Sequence, residues 1–420
     1  MRGMRRGAGA WTLLLGLVAG ISLVGCLDRD ERTEFQSSHI ATGDSILGRG
    51  KAPQTGAFRG RRAAAFGDAD TVYIYLSPLG DDNNPGSRDR PAATLVRIQQ
   101  LLKQRALDAD IIVKVRSDAG VYLNQSVLWT YYRPGRSITI ESDPPRVNAC
   151  FVAGNDPPVG PFFALSAMRG EPTNIVLRRL TVRNYVSRAV LFLGDREIRD
   201  NWNGGNAIED CVFEGIGNAR LPMQPIVYSA VGLVNSRNNR IVNCSFLDIR
   251  NHTLANFPQA PRGAAHHPVP RIEKEERKLS AIGSGSNPNI PIVCIYLAHY
   301  SDSNAIEACS FERVKGDAIR IRDDSNGNVI AGNRFELVGW NAIVSMWQCD
   351  SPRLNCMKEL VPEKVSTGNA ILRNTARGNW RGGMPVLFVD MRAAESPSGA
   401  SKTPMLGIMR IEGNDLDVYR

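Results

Sequence analysis

Beyond its first 26 residues the 420-residue sequence has no long apolar run, no heptad and no extended stretch of helical period. A bundle of membrane helices and a coiled coil are therefore excluded, because each needs one of those patterns to bury its faces. No two of the eight cysteines are spaced as CxxC, which removes the close ligand pairs of structural zinc sites. No nucleic-acid-binding motif occurs either. The composition is otherwise ordinary, with 43% hydrophobic and 22% charged residues. That is ample material for a large core and too apolar for a disordered chain.

What is present begins with an address. Arg2, Arg5 and Arg6 precede WTLLLGLVAGISLVGC, a basic segment and a short apolar segment laid out as a secretory signal. The stretch LVGC, Leu23 to Cys26, resembles the lipobox of bacterial lipoproteins, in which the cysteine becomes diacylated and N-terminal after cleavage. That resemblance makes residues 1–25 a signal peptide, Cys26 the expected lipid anchor, and the bacterial cell envelope, facing periplasm or cell surface, the expected location. Removing residues 1–25 takes three arginines and no acids, so the formal charge falls from +9 to +6. Outside the cytoplasm this surplus favours an acidic polysaccharide or an anionic membrane surface over nucleic acid as the partner. Residues 26–70 are polar, rich in Gly and Arg and without apolar period, and read as a flexible tether. Seven cysteines remain after Cys26, an odd count that leaves at least one unpaired. Cys349 and Cys356 bracket a short loop, QCDSPRLNC, and are the expected disulfide in an oxidising compartment.

Self-comparison is more informative. IEDCVF (208–213), IVNCSF (241–246), IEACSF (306–311) and IAGNRF (330–335) share an aliphatic residue, a Cys or Asn three positions on, and then Phe. LRRLTV (177–182), ILRNTA (371–376) and IEGNDL (411–416) echo them, and an Asn- or Ser-rich turn precedes most. Short strands with turn signals at this spacing predict a solenoid of strands. The 24 residues from Ile306 to Ile330 suffice for one coil of three strands and three turns. In such a stack Ile208, Ile241, Ile306 and Ile330 form an internal ladder, and Cys211, Cys244 and Cys309 align with Asn333, Asn374 and Asn414. Residues 251–291 interrupt the repeat with Pro, Gly and charge and form an insertion loop. Its adjacent His266 and His267 lack a third ligand and are expected to be solvated.

These repeats resemble the right-handed parallel β-helix proteins of the pectate-lyase-like superfamily, a group that includes polysaccharide lyases, polygalacturonase-like hydrolases and alginate epimerases. A second resemblance is independent of the repeat. YIYLSPLGDDNNPGSRDRPAATLVRIQQLL, Tyr73 to Leu102, looks like the opening of many secreted β-helix enzymes, where a strand, a turn and Pro-x-x-Thr lead into a helix that caps the first coil. The fold implied for residues 71–420 is all-β, a parallel β-helix with a short N-terminal capping helix, expected as a monomer. Asp81, Asp82, Asn83 and Asn84 allow a calcium loop, but a capping turn is the favoured reading, and no cofactor is otherwise expected.

A candidate site emerges from setting the coils under one another. In GDAIRIRDDSNGN, residues 316–328, Ile319 and Ile321 alternate with Arg320 and Arg322, so one face wants a core and the other an anion. Aligning SDSNAI (301–306) with SNGNVI (325–330) stacks Arg320 over Tyr296, Arg322 over Ala298, Asp323 over His299 and Asp324 over Tyr300. The next coil, WNAIVSMWQCD, brings Met346 and Trp347 to the same place. Flat rings at Tyr296, Tyr300, Trp340 and Trp347 and forked donors at Arg320 and Arg322 suit a sugar-binding groove for carboxylated glycans. For β-elimination the arginines would neutralise a uronate carboxylate, His299 would act as base, and Tyr300 as alternative base or proton donor. RIRDDSN resembles the strand that carries a catalytic arginine in chondroitinase-B-like and alginate lyases, where a lysine one coil earlier is the base. Here that stacked position holds His299 or Tyr300, and Lys315 lies on a turn. Hydrolysis through Asp317, Asp323 and Asp324 is the rival reading, though the companion Asn-Thr-Asp, Gly-His-Gly and Arg-Ile-Lys motifs are absent. Epimerisation and glycan binding without turnover would use the same groove.

The lipobox reading yields a direct test: Cys26→Ser should abolish lipidation and shift the protein from the membrane to the soluble fraction. A mutant that still carries lipid would remove the assignment.

Overall fold

A computed structural model describes residues 71–154, 160–185, 188–217, 228–249, 292–339, 341–345, 366–379, 387–389 and 410–417. Every strand pairing among them is parallel, in three long sheets of 10, 9 and 8 strands and one short sheet of three. Sheet 1 runs from Thr71–Leu76 to Arg410–Glu412, sheet 2 from Tyr122–Leu123 to Asp415–Asp417, and sheet 3 from Val127–Trp129 to Leu387–Val389. The chain visits them in rotation. After Ile292–Ala298 in sheet 3 it passes through Ala305–Glu307 in sheet 1 and Ser310–Val314 in sheet 2, then returns to sheet 3 at Ile319–Ile321. This is a right-handed parallel β-helix, as the repeat implied.

The columns follow from the register. Ile208, Ile241, Ile306, Ile330, Ile371 and Ile411 pair in succession along sheet 1. In sheet 2 the rings of Phe213, Phe246, Phe311 and Phe335 stack with centroids 5.1, 4.8 and 4.8 Å apart. Fully burying each such ring contributes roughly 1.5–3 kcal/mol.

Corners between sheets 1 and 2 are single residues in the left-handed backbone region, among them Arg179, Asp210, Asn243, Ala308 and Arg373. The next residue turns inward; after Arg179 it is Leu180, and after the other four it belongs to the Cys or Asn column. Cys211, Cys244 and Cys309 point their thiols at the carbonyls of Leu177, Ile208 and Ile241, at 3.6, 3.4 and 3.5 Å. Asn333, Asn374 and Asn414 donate to Ile306, Ile330 and Ile371, each at 2.9 Å. Cysteine and asparagine thus do the same task, satisfying one carbonyl of the preceding coil. The asparagines add a bond along the stack, as Asn333 Oδ1 accepts from the Cys309 amide at 2.9 Å.

A second amide ladder lies before sheet 1. Asn206, Asn239, Asn304, Asn328 and Asn369 pass side-chain hydrogen bonds from coil to coil at 2.8–3.0 Å. Three residues earlier in their coils, the hydroxyls of Ser301, Ser325 and Ser366 accept from the amides of Ser236, Ser301 and Ser325. The Asn- and Ser-rich turns are therefore buried ladders.

The helix Leu95–Arg105 closes the first coil, burying Leu95, Ile98, Leu101 and Leu102. Thr94 caps it, accepting from the Arg97 amide at 3.0 Å. Asp82 accepts from the amides of Ala93 and Thr94 and from the Thr94 hydroxyl, while Asp81 accepts from the Asn83 amide. The GDDNNPG segment works here as a capping turn.

Equivalence within the Cys/Asn column predicts opposite outcomes at one position. Cys309→Asn should hold stability within about 1 kcal/mol. Cys309→Asp, which buries an acid beside a carbonyl, should lose roughly 3 kcal/mol or more. Urea denaturation distinguishes them, and equal losses would break the equivalence.

Candidate functional site

Sheet 3 leads into the corner where the charged residues gather. In the coil of Tyr228–Val234 this corner is the single left-handed residue Asn235. The next two coils use a pair of consecutive left-handed residues, His299 and Tyr300 (φ 50° and 64°) and Asp323 and Asp324 (φ 50° and 57°). Four non-glycine residues in this region cost about 1–2 kcal/mol each. The Tyr300 amide donates to the Asp323 carbonyl at 3.0 Å, so the two pairs lie one on the other.

One coil earlier the corner is enlarged into the segment GDREIRDNW, residues 194–202. Asn235 clamps it by donating from Nδ2 to the carbonyls of Asp195, Ile198 and Arg199. The segment then reaches across two coils. Arg196 places Nε and Nη2 each 3.2 Å from His299 Nε2. Arg199 divides its fork between Asp302 and Asp324, 3.1 Å to each, and its guanidinium lies 5.4 Å from the Tyr300 ring centroid. Arg237 lies over the Trp202 ring and donates to the Tyr300 carbonyl at 3.2 Å.

On the other side of the imidazole, Nδ1 meets the Asp323 carboxylate in a close contact. With a carboxylate on Nδ1 and only donors on Nε2, the ring is the neutral Nδ1–H tautomer whose Nε2 lone pair accepts from Arg196. Burial, with Asp323 and Asp324 nearby, pushes the Tyr300 phenol up, so it is protonated at neutral pH. Burial also pushes up the Asp302 carboxyl, against the Asn326 amide and the Arg199 and Arg237 cations that favour its ionised form.

The structure thus brings His299, Tyr300, Asp323 and Asp324 together, but Tyr300, expected as a sugar platform, is 5% exposed and offers no open ring face. It corrects the reading of their neighbours. Arg320 and Arg322 were expected as open donors on an outer face, since alternation sets them opposite Ile319 and Ile321. Both are covered, at 3% and 7% exposure. Arg320 is committed to Asp317, with Nε and Nη2 at 2.9 and 2.6 Å from one carboxylate oxygen. Asp317, expected to touch substrate, is 1% exposed and accepts with its other oxygen from the Asn341 amide and side chain, at 3.1 and 2.9 Å. Close backbone approach fixes this turn, because a Cβ at Gly316 would lie 2.0 Å from the Ile292 carbonyl oxygen. Tyr296, expected as a sugar platform, is 6% exposed and packs with Val293 and Ala298, its hydroxyl accepting from Arg322 at 3.3 Å. Strand Ile319–Ile321 also ends before the two aspartates, so the corner, not the strand, aims them.

Trp340, Met346, Trp347, Cys349 and Cys356 lie outside the described residues, as do Cys26 and the loop with His266 and His267. Arg196, Arg199, Trp202, Arg237 and Asp302 were missed by the sequence reading. Their one sequence signal is length, since residues 194–202 overfill a corner that the coils of Tyr228–Val234, Ile292–Ala298 and Ile319–Ile321 turn in one or two residues. Among the described residues no three His, Cys, Asp or Glu side chains converge on a common metal position.

No family model and no curated protein matches the sequence. Solved structures do. A rhamnogalacturonan lyase is 14% identical over 82% of this chain and 66% of its own, with a TM-score of 0.37. Pectate lyase Pel9A is 11% identical over 82% of this chain and 77% of its own, with a TM-score of 0.42. The tailspike protein of E. coli bacteriophage HK620, solved with a pentasaccharide, is 9% identical over 82% of this chain and 57% of its own, with a TM-score of 0.40. All are parallel β-helix proteins. The chain spans less than two thirds of the length of the first and the third. At these identities the likeness is one of fold and assigns no chemistry.

The commitment of Arg320 to Asp317 predicts a structural role. Arg320→Met should cost about 3–5 kcal/mol by stranding a buried carboxylate, while Asp317→Leu with Arg320→Met should recover much of that. A urea-denaturation cycle with no coupling between the two would return Arg320 to the list of available donors.

Proposed function

We propose that this corner binds an acidic polysaccharide and cleaves it by β-elimination at a uronate, in a lipoprotein anchored through Cys26 in the bacterial envelope. The observation that carries the reading is a histidine with a carboxylate on Nδ1, beside a phenol held protonated. His299 Nε2 takes the C5 proton. The electron pair left on carbon becomes the C4–C5 double bond, and the C4–O4 bond breaks. Tyr300 gives its proton to the departing O4. Asp323 keeps the imidazole oriented and stabilises the imidazolium that forms, as a carboxylate does for a catalytic histidine elsewhere. Arg196 and Arg199, the latter 48% exposed, supply cations for the uronate carboxylate.

Asp302 favours a second reading. Its carboxyl, pushed up by burial, shares Arg199 with the Asp324 carboxylate, and two neighbouring carboxyls are what a glycoside hydrolase uses as acid and base.

A panel of anionic polysaccharides separates the two readings. Elimination produces new absorbance at the unsaturated-uronate band, whereas hydrolysis produces reducing ends alone. His299→Ala should lower elimination by roughly 10²–10⁴-fold with binding largely retained. Turnover unchanged in that variant would place the base elsewhere.

A further inference from the structure

Arg196 is placed oddly for a residue whose only task is to hold substrate. Two of its donors converge on one nitrogen, His299 Nε2, at 3.2 Å each. A guanidinium fork matches two acceptors, as on a carboxylate, and bonds between two ionised partners are roughly twice as strong as neutral ones. The contact with a neutral imidazole is therefore the weaker of two available pairings. It also covers the atom that must take a proton.

We propose that Arg196 is the specificity-determining residue of this site: it caps the basic nitrogen of His299, and a ligand carboxylate draws it away and uncovers that nitrogen. This rests on the reading of His299 as the base. The carboxylate then acts as a key as well as an electron sink, and a neutral glycan leaves the base capped.

The surroundings allow this exchange. Asn235 holds the carbonyls of Asp195, Ile198 and Arg199, and Asp195 accepts from the amides of Glu197 and Ile198. The backbone on both sides of Arg196 is thus pinned, and the exchange is one of side-chain contacts alone. Asp323 stays on Nδ1 throughout, so uncovering Nε2 does not change the tautomer. The other charged or titratable groups described at the corner are Tyr300, next to His299 in the chain, Arg199, which is shared between Asp302 and Asp324, and Arg237, which donates to the Tyr300 carbonyl and lies 3.8 Å from Asp302.

The test has two arms. Proton–nitrogen correlation spectra resolve the five histidines, with His299 assigned through His299→Gln. Arg196→Gln should move the His299 Nε2 resonance without ligand, and glucuronate added to the wild type should move it to the same position, while glucose should not. An unmoved resonance in Arg196→Gln, or equal responses to glucuronate and glucose, overturns the proposal. In the second arm, elimination is compared on a uronate polymer and on its methyl ester, which is neutral yet still open to elimination. The wild type should prefer the free acid by at least about tenfold, and Arg196→Gln should reduce that ratio to roughly threefold or less. Arg196→Lys, charged but without the fork, should fall between. A ratio identical in all three proteins overturns the proposal. A wild type that eliminates nothing refutes the lyase reading instead, and the spectra then decide the cap alone.

Discussion

The molecule depends on exact-register stacking of buried side chains that bond to their own kind in the next coil. An amide at Asn304 accepts from Asn239 above and donates to Asn328 below, so each is satisfied only if every coil returns to the same place. A coil longer by one residue within a strand would break the amide ladder and the Phe stack together and leave buried polar groups unpaired. Length varies between the stacked columns, and that is where residues 194–202 are accommodated.

The same demand explains what was legible. The Ile, Phe and Cys/Asn columns could be read because like residues recur at fixed offsets, and the capping helix because its turn and N-cap residues are local. Stacking of His299 on Asp323 followed from aligning two Ser/Asn turns. Alternation gave the side of the sheet on which Arg320 and Arg322 lie, but a period of two contains nothing about whether that side is covered. The Asp317–Arg320 pair depended on where a strand ends. Arg196 and Arg199 could not be placed, because they belong to a corner that departs from the repeat, and a repeat says nothing of how its exceptions fold.

At that corner the backbone is held in a costly conformation by groups on both sides. Ser301 and Ser325 lie in the hydroxyl ladder directly after the two left-handed pairs, and strands of sheet 3 lie directly before them. Strain of this kind persists where neighbours over-determine it. It presents four functional side chains in consecutive pairs, and each carboxylate there meets a cation or the imidazole: Asp323 with His299, Asp324 and Asp302 with Arg199.

The bridges from residues 194–202 also set an order of assembly. Arg196 and His299 are 103 residues apart in the chain, and Arg199 and Asp324 are 125 apart. A solenoid can grow coil by coil from local contacts, with each new coil templated on the last. These two bridges close only after the coils of Tyr228–Val234, Ile292–Ala298 and Ile319–Ile321 are all in place, and loop closure over such distances comes late. A partly folded chain therefore has a finished core at one end while His299 and Asp324 still lack their arginine partners, so the candidate site is assembled only once the stack beneath it is complete.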